Sequence, residues 1–302
     1  MGKYAAQERK IPKDTSGRII GSDWIKKGQE SMTSEEIIKL QTTAKEMRRD
    51  IVNMCYRCGR QNAHLGGCMS MVELLAVLYT KIMHFDREHW EDRDRFILSK
   101  GHGGIAMYAA LRQAGILSKE DISKEMRGED TITFRHPKQK QDKGIEISTG
   151  SLGLGISYGI GLVCAFRRRQ NDTSKVYVYI GDGECDEGSV WEGAALAGHM
   201  NLQNLVVIID KNGLQLDGYT RQILNMENMR QRWEAFGFHA VEIDGHDVAA
   251  VYEALNCKTN KPLAIIADTV KGKGISFAED RVEWHDNYVS DELYVKAMNE
   301  LA

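Results

Sequence analysis

An acidic side chain, Asp182, follows a β-branched run and lies between two glycines in GDGECDEG (181–188). An amide side chain, Asn212, stands thirty positions later at the end of a second apolar run, LVVIIDKN (205–212). A strand, a crossover helix and a second parallel strand take about that many residues. Both side chains then emerge at the carboxyl ends of neighbouring strands, where open α/β sheets bind ligands. Two hard oxygen donors among glycines suit a divalent cation that keeps other positions for phosphate oxygens. The implied chemistry is a magnesium- or calcium-bridged diphosphate. A dinucleotide fold also opens with a strand and glycines, but its fingerprint needs Gly at the sixth position, which here is Asp186. A carboxylate there would repel a pyrophosphate at the helix start. GDG alone is equally a tight turn; the spaced Asn gives it meaning.

Four histidines flank glycine-rich or turn sequences: His64 in NAHLGGCMS, His102 in FILSKGHGG, His136 in TFRHPK and His285 in VEWHD. A lone histidine is more often solvated or structural, although an imidazole titrating near neutrality can exchange protons as carbonyl and alcohol interconvert.

These residues need a scaffold. Strands are expected at RFILS (95–99), VYVYI (176–180), LVVIID (205–210), HAVEI (239–243) and PLAIIADTV (262–270). Helical patterns lie at 103–115, 152–168, 188–200, 227–236 and 247–256. Near-continuous apolar strands alternating with helices predict an α/β, doubly wound, mostly parallel sheet with helices on both faces. Ahead of them, SMTSEE starts a helix capped by Thr33 or Ser34, with Ile37, Ile38, Leu40, Ala44, Met47, Ile51 and Met54 at helical spacing and His64 at its end. A second helix over 70–83 is apolar enough to be buried on most sides. Residues 1–30 read as a mobile extension and 31–302 as one domain.

Hydrophobic residues make up 42% of the 302, enough for a substantial core. A formal charge of −3 gives no electrostatic case for nucleic acid. The basic run at 167–170 reads as a helix carboxyl end complementing the dipole. Six cysteines are scattered, and the C-x-x-C of Cys55 and Cys58 has no second pair at zinc spacing, so reduced thiols are expected. The first residues lack the apolar core of a signal peptide, and no apolar run of about twenty residues spans a membrane, so a cytoplasmic protein is expected.

The GDG-to-Asn motif and the segment EGSVWEGAALAGHMNLQNLVVIIDKNGLQLDG resemble thiamine diphosphate enzymes, and transketolase in particular, over about residues 35–290. The resemblance implies thiamine diphosphate as cofactor, with Asp182, Asn212 and the backbone carbonyl of Leu214 binding Mg (or Ca). Gly181, Gly183 and Glu184 belong to the same diphosphate-binding motif, and Gly183 lets the diphosphate approach the main chain. Gly150, Ser151, Leu152 and Gly153, in ISTGSLGLG, match the loop that cradles the aminopyrimidine. The family commonly has Gln where Leu154 stands and Asn where Gly213 stands, and the FRHP loop is non-standard. His102 and His285 are placed by the diphosphate, with His64 and His136 facing the hydroxyl and carbonyl oxygens of the sugar. Glu187 aligns with a glutamate that reaches toward the partner's catalytic carboxylate, although a first-turn helix acid fits it as well.

In this family the glutamate that activates the cofactor, and the arginines that grip the sugar phosphate, belong to a second, pyrimidine-binding domain. The resemblance therefore implies the diphosphate-binding subunit of a split transketolase, inactive without a pyrimidine-domain partner and assembled as two copies of each chain. Assembly would bury much of the apolar helix surface. The expected reaction moves a two-carbon ketol unit from a ketose, usually phosphorylated, to an aldose. The alternatives are another thiamine reaction on the same scaffold, such as deoxyxylulose phosphate synthesis or a specialised sugar transketolase, and a non-catalytic cofactor-binding scaffold.

Overall fold

The computed structural model describes residues 31–85, 88–124 and 131–302. The expected extension at 1–30 lies outside the described residues. Five strands run in the order β1-β2-β3-β5-β4, every pair parallel. They are β1 (Arg95–Leu98), β2 (Val176–Gly181), β3 (Leu205–Lys211), β4 (His239–Asp244) and β5 (Leu263–Asp268). All five expected strands are present, shifted by no more than two residues at an end.

Side-chain alternation along the strands feeds two cores. Tyr177 and Tyr179 of β2, with Val206 and Ile208 of β3, face one layer of helices. That layer holds α1 (Ser34–Arg57), α2 (Leu65–Met69), α3 (Val72–Val77), α4 (Gly104–Gln113), α9 (Val248–Leu255) and α10 (Asp291–Glu300). Val176, Val178 and Ile180, with Leu205, Val207 and Ile209, face α5 (Gly155–Arg168), α6 (Gly188–His199) and α8 (Met229–Ala235) on the other side. The short α7 (Thr220–Ile223) lies in the loop after β3. A sheet covered on both faces has apolar residues at every position, which is why these strands read as unbroken runs.

Helix α1 begins as its sequence dictates. Thr33 Oγ1 accepts from the backbone N–H of Glu36, and the Glu36 carboxylate accepts from the N–H of Thr33, a reciprocal cap. Leu40, Ala44, Met47, Ile51 and Met54 are buried as the spacing predicts, whereas Ile38 is exposed. The helix ends at Arg57, so His64 does not terminate it; a 3-10 turn over Gly59–Gln61 intervenes and His64 caps the separate α2. The apolar 70–83 segment is also not one regular helix. After α3 it widens into a π-type turn over Leu78–Ile82. Val72 through Leu78 are buried within this chain, so no partner is needed to cover them. Helix α10 has no counterpart among the expected elements.

A buried ionic cluster ties this helical layer to the loop after β5. Arg48 of α1 forms a two-pronged pair with Glu73 of α3, at 2.7 and 3.0 Å, and donates through Nε to the Lys273 carbonyl. His246, just past β4, accepts from the Val270 N–H at Nε2, which leaves Nδ1 to donate to Glu73 at 2.9 Å. Although burial opposes it, the His246 hydrogen bond and the Arg48 charge hold the Glu73 carboxyl down at about 2. Removing one member of such a buried cluster strands the others. Glu73→Ala should destabilise the chain by about 3–5 kcal/mol in urea unfolding; a loss under about 1 kcal/mol would show the cluster to be solvated.

Candidate active site

The carboxyl ends of four adjacent strands supply the site. Ser99, Lys100 and His102 follow β1, Asp182 follows β2, Asn212 and Leu214 follow β3, and Thr269 and Lys271 follow β5. Beneath them lies a fully buried carboxylate, Asp210. It pairs with Lys100 and accepts from Ser70 Oγ (2.7 Å), Thr269 Oγ1 and Asn212 Nδ2 (3.2 Å). Burial works against its charge, but Lys100, Thr269 and Ser70 hold it below the usual carboxylate range. Lys100, itself 1% exposed, also donates to the Gly67 carbonyl. Asp210 therefore fixes the amide of Asn212 from below.

Asp182 sits above this base, 6% exposed. Its two oxygens accept from the N–H groups of Gly183 (2.9 Å) and Gly213 (2.6 Å), which brings the β2 and β3 ends together. Asn212 Oδ1 accepts from the Leu214 N–H. Gly213 has φ +71, a left-handed conformation that glycine adopts freely and Asn tolerates best among other residues. Glycine here thus preserves the turn that an Asn would make. Burial, and then the nearby Asp210 charge, push the Asp182 carboxyl up to about 7. A cation beside it would reverse that penalty.

The four histidines converge. His64 is central, with ring centroids 5.6 Å from His102, 5.2 Å from His136 and 5.6 Å from His285; His102 and His285 are 5.1 Å apart. Backbone stitching explains the convergence. Ala63 and Asn287 exchange both main-chain bonds, which ties the His64 turn to the His285 loop. The Thr149 N–H donates to the Pro137 carbonyl, drawing the His136 loop onto the 147–153 segment. Helix α2 presses close because a Cβ on Gly67 would stand 3.1 Å from the His102 ring. His64 is buried, His102 and His285 are half-buried, and His136 is exposed.

Each imidazole is held neutral. Burial, then Asp286 in opposition and His136 and Arg135 in support, set His64 at about 4. Burial and Lys271 bring His285 to about 3; burial and Lys100 lower His102 well below its ordinary value. Burial and Arg135 lower His136. At neutral pH the cluster therefore offers hydrogen-bond donors and acceptors rather than positive charge. The unfolded chain, with imidazoles near 6.5, binds more protons than the fold at pH 5. The four histidines should accordingly lower stability as pH drops from about 6.5 toward 4, opposed by Asp182, which binds a proton in the fold below about 7, and the fall should be shallower in His64→Asn than in wild type. Thermal melting across that range checks it; identical slopes in the two proteins would contradict it.

Several expected residues take less direct places. The Glu184 carboxylate is buried and occupied by Ser99 Oγ and the N–H groups of Gly153 and Gly181. It fastens the 150–155 loop to the ends of β1 and β2. Gly153 is buried, Ser151, Leu152 and Leu154 are exposed, and α5 starts only at Gly155. Gly150 lies near His136, whose ring would be 3.7 Å from a Cβ built there. Gly183 faces the Gln215 side chain, 2.7 Å from such a Cβ. Glu187 is exposed at the start of α6 and its side chain makes no cap bond.

Sequence reasoning missed the cations. Lys271 is 2% exposed, within 3.3–3.4 Å of the Leu214 and Gln215 carbonyls and 2.9 Å from His285 Nδ1. Burial and Lys100 pull it down to about 8. Lys100 and Asp210 could have been noticed as charges at the ends of apolar strands. Nothing in the sequence pointed to Lys271. Among the described residues, no three His, Cys, Asp or Glu side chains are arranged to hold a metal. The expected ligand set takes only one donor from those types. Its carboxylate, amide and carbonyl oxygens, with Lys271 beside them, fit a cation-bound diphosphate.

Residues 42–300 match the family of the transketolase, thiamine diphosphate binding domain. A 6-deoxy-6-sulfo-D-fructose transketolase subunit from Clostridium sp. (strain MSTE9) is 38% identical over 274 residues, covering 89% of this chain and 98% of that protein. An apulose-4-phosphate transketolase subunit from Phocaeicola vulgatus is 35% identical, over 88% of this chain and 95% of the relative. The solved transketolase from Leishmania mexicana superposes with a TM-score of 0.78 at 30% identity, covering 87% of this chain. This chain spans 41% of that one. The chain belongs to the transketolase family and corresponds to its thiamine diphosphate-binding domain.

Proposed function

We propose that this chain is the diphosphate-binding subunit of a two-chain transketolase and transfers a two-carbon ketol unit from a ketose to an aldose once a pyrimidine-domain subunit joins it. The observation that carries this reading is the meeting of four neutral histidines with Asp182, Asn212 and Lys271 at the carboxyl edge of one sheet. Thiamine diphosphate, when bound, supplies the electron sink for cleavage of the carbon–carbon bond. Asp182, Asn212 and the Leu214 carbonyl would hold a magnesium (or calcium) ion, with Lys271, His102 and His285 alongside the diphosphate. Gly150–Gly153 would line the ring-binding side, in a loop that Glu184 keeps in place. His64 Nδ1 is buried without a hydrogen-bond partner, an available polar atom for a sugar oxygen. His64 and His136 would orient the donor carbonyl and exchange protons with its hydroxyls. Glu187, exposed at the rim, would reach the partner chain.

Two facts support a separate partner. The subunit relatives are covered almost end to end, whereas the solved transketolase is more than twice as long as the matched region. Leu154 and Tyr158 at the start of α5 and Leu196 of the neighbouring α6 are 44–50% exposed, an apolar surface suited to a subunit contact. Two copies of each chain and residues 31–302 as one domain remain part of this proposal. Both named subunit relatives act on ketoses bearing an anionic group, so a sugar phosphate or a comparable acid is the proposed substrate class. The free thiols of Cys55, Cys68, Cys164 and Cys185 fit a reducing compartment such as the cytoplasm. No helix among the described residues is long and apolar enough to cross a membrane.

The test is ketol transfer from xylulose 5-phosphate and from other ketose phosphates, assayed with this chain alone, its candidate partner alone and the two combined. Activity confined to the mixture supports the proposal. Cofactor binding without transfer from any ketose would favour another thiamine reaction or a scaffold role.

A further inference from the structure

One ion pair links the two chain segments that carry His136 and His285. Arg135 Nη2 donates to Asp286 Oδ1 at 2.7 Å, and both side chains are about one-third exposed. Arg135 immediately precedes His136 and Asp286 immediately follows His285, so each is the chain neighbour of a cluster histidine. Asp286 Oδ1 also stands 3.8 Å from His64 Nε2. The backbone holds the carboxylate side in place, because Asn62 donates to the Asp286 carbonyl and Ala63 pairs with Asn287.

The pair leaves hydrogen-bonding capacity over. Arg135 has five N–H donors, and its Nε is buried without a partner. Asp286 Oδ2 makes no protein hydrogen bond among the described residues. The charges cancel, so this is not by itself an anion trap. A neutral pair with a spare acceptor beside spare donors matches hydroxyl groups, which donate and accept at once. Burial is the chief reason that His64 stays neutral, with Asp286 opposing it and Arg135 assisting it, so neither side chain alone decides the charge of the central histidine.

We infer that Arg135 and Asp286 form a specificity-determining clasp that hydrogen-bonds the carbinol hydroxyls of the donor ketose beyond its carbonyl carbon. This rests on the transketolase reading of the site. A ketose carries such hydroxyls. A three-carbon hydroxy-2-oxo acid carries the same two-carbon unit and releases carbon dioxide instead; it has a carboxylate but no carbinol hydroxyl at that position, so Asp286 has nothing to accept from it. A site built around a hydroxyl discriminates strongly against a substrate that lacks it.

The experiment compares Arg135→Ala and Asp286→Ala with the wild-type two-chain complex, measuring kcat and KM for a ketose phosphate and for hydroxypyruvate. Expected is a loss in ketose kcat/KM of about ten- to a hundredfold, the worth of hydrogen bonds to charged groups. In Asp286→Ala, hydroxypyruvate kcat/KM should fall by no more than about twofold and cofactor affinity should stay within about twofold of wild type. Asp286→Asn, which keeps the volume and one acceptor oxygen, should lie between wild type and Asp286→Ala; it also serves as the test if the alanine variant fails to fold. An equal loss with both donors would make the pair a support for the histidines and overturn the inference, as would no loss with either. If the transketolase reading itself is wrong, the wild-type complex turns over neither donor.

Discussion

Asp182→Asn should lower metal-dependent cofactor affinity by about a hundredfold or more, since even residues that only support a metal ligand are worth ten- to a hundredfold. The same change should leave the melting temperature of the cofactor-free chain unchanged or slightly raised. The two effects separate because of where Asp182 sits. It is buried, it accepts from the N–H groups of Gly183 and Gly213, and burial together with Asp210 pushes its carboxyl up to about 7. A neutral amide keeps an acceptor oxygen and removes a desolvated charge, yet it is a far poorer ligand for a hard cation. Retained metal-dependent affinity in Asp182→Asn would show that this carboxylate is not a ligand. A large drop in melting temperature would show that it is chiefly structural.

Lys100→Met should cost about 3–5 kcal/mol of stability, because it leaves the Asp210 carboxylate buried without its cation. The damage should reach the site as well. Asp210 also orders Ser70, Thr269 and the Asn212 amide, so an unpaired or protonated Asp210 disturbs the base on which Asn212 rests. Adding Asp210→Asn to Lys100→Met should recover part of the loss, since the amide is neutral and still accepts a hydrogen bond. Urea unfolding of the two single variants and the double variant measures this coupling. A double variant less stable than Lys100→Met alone would mean that the pair contributes by packing and not through its charges.

The fold was legible because a parallel sheet covered on both faces writes itself as continuous apolar runs. VYVYI and LVVIID each feed two cores, and both strands fall where those runs stand. The first helix was legible from Thr33 and Glu36 and from its apolar stripe, but its end was not. The turn at Gly59–Gln61 and the separate α2 are set by main-chain bonds to distant loops, among them Gly272 N–H to the Gly66 carbonyl. The break after Val77 was hidden because the side chains around it are mostly apolar and buried, so periodicity carried no phase. In the site, the histidines and the Asp182–Asn212 pair could be recognised by type, spacing and likeness to a family. Lys271 and the Arg135–Asp286 pair gain meaning only from neighbours far away in the chain. Glu184 shows the opposite error: it stands within the motif, yet its carboxylate is spent on the loop backbone.

Titration calorimetry of thiamine diphosphate with magnesium into this chain, first alone and then with the proposed pyrimidine-domain partner, tests the central claim most directly. Tight, magnesium-dependent binding is expected in the complex, abolished by chelation and strongly weakened in Asp182→Asn. Absence of binding in either setting, with the chain folded, would contradict it.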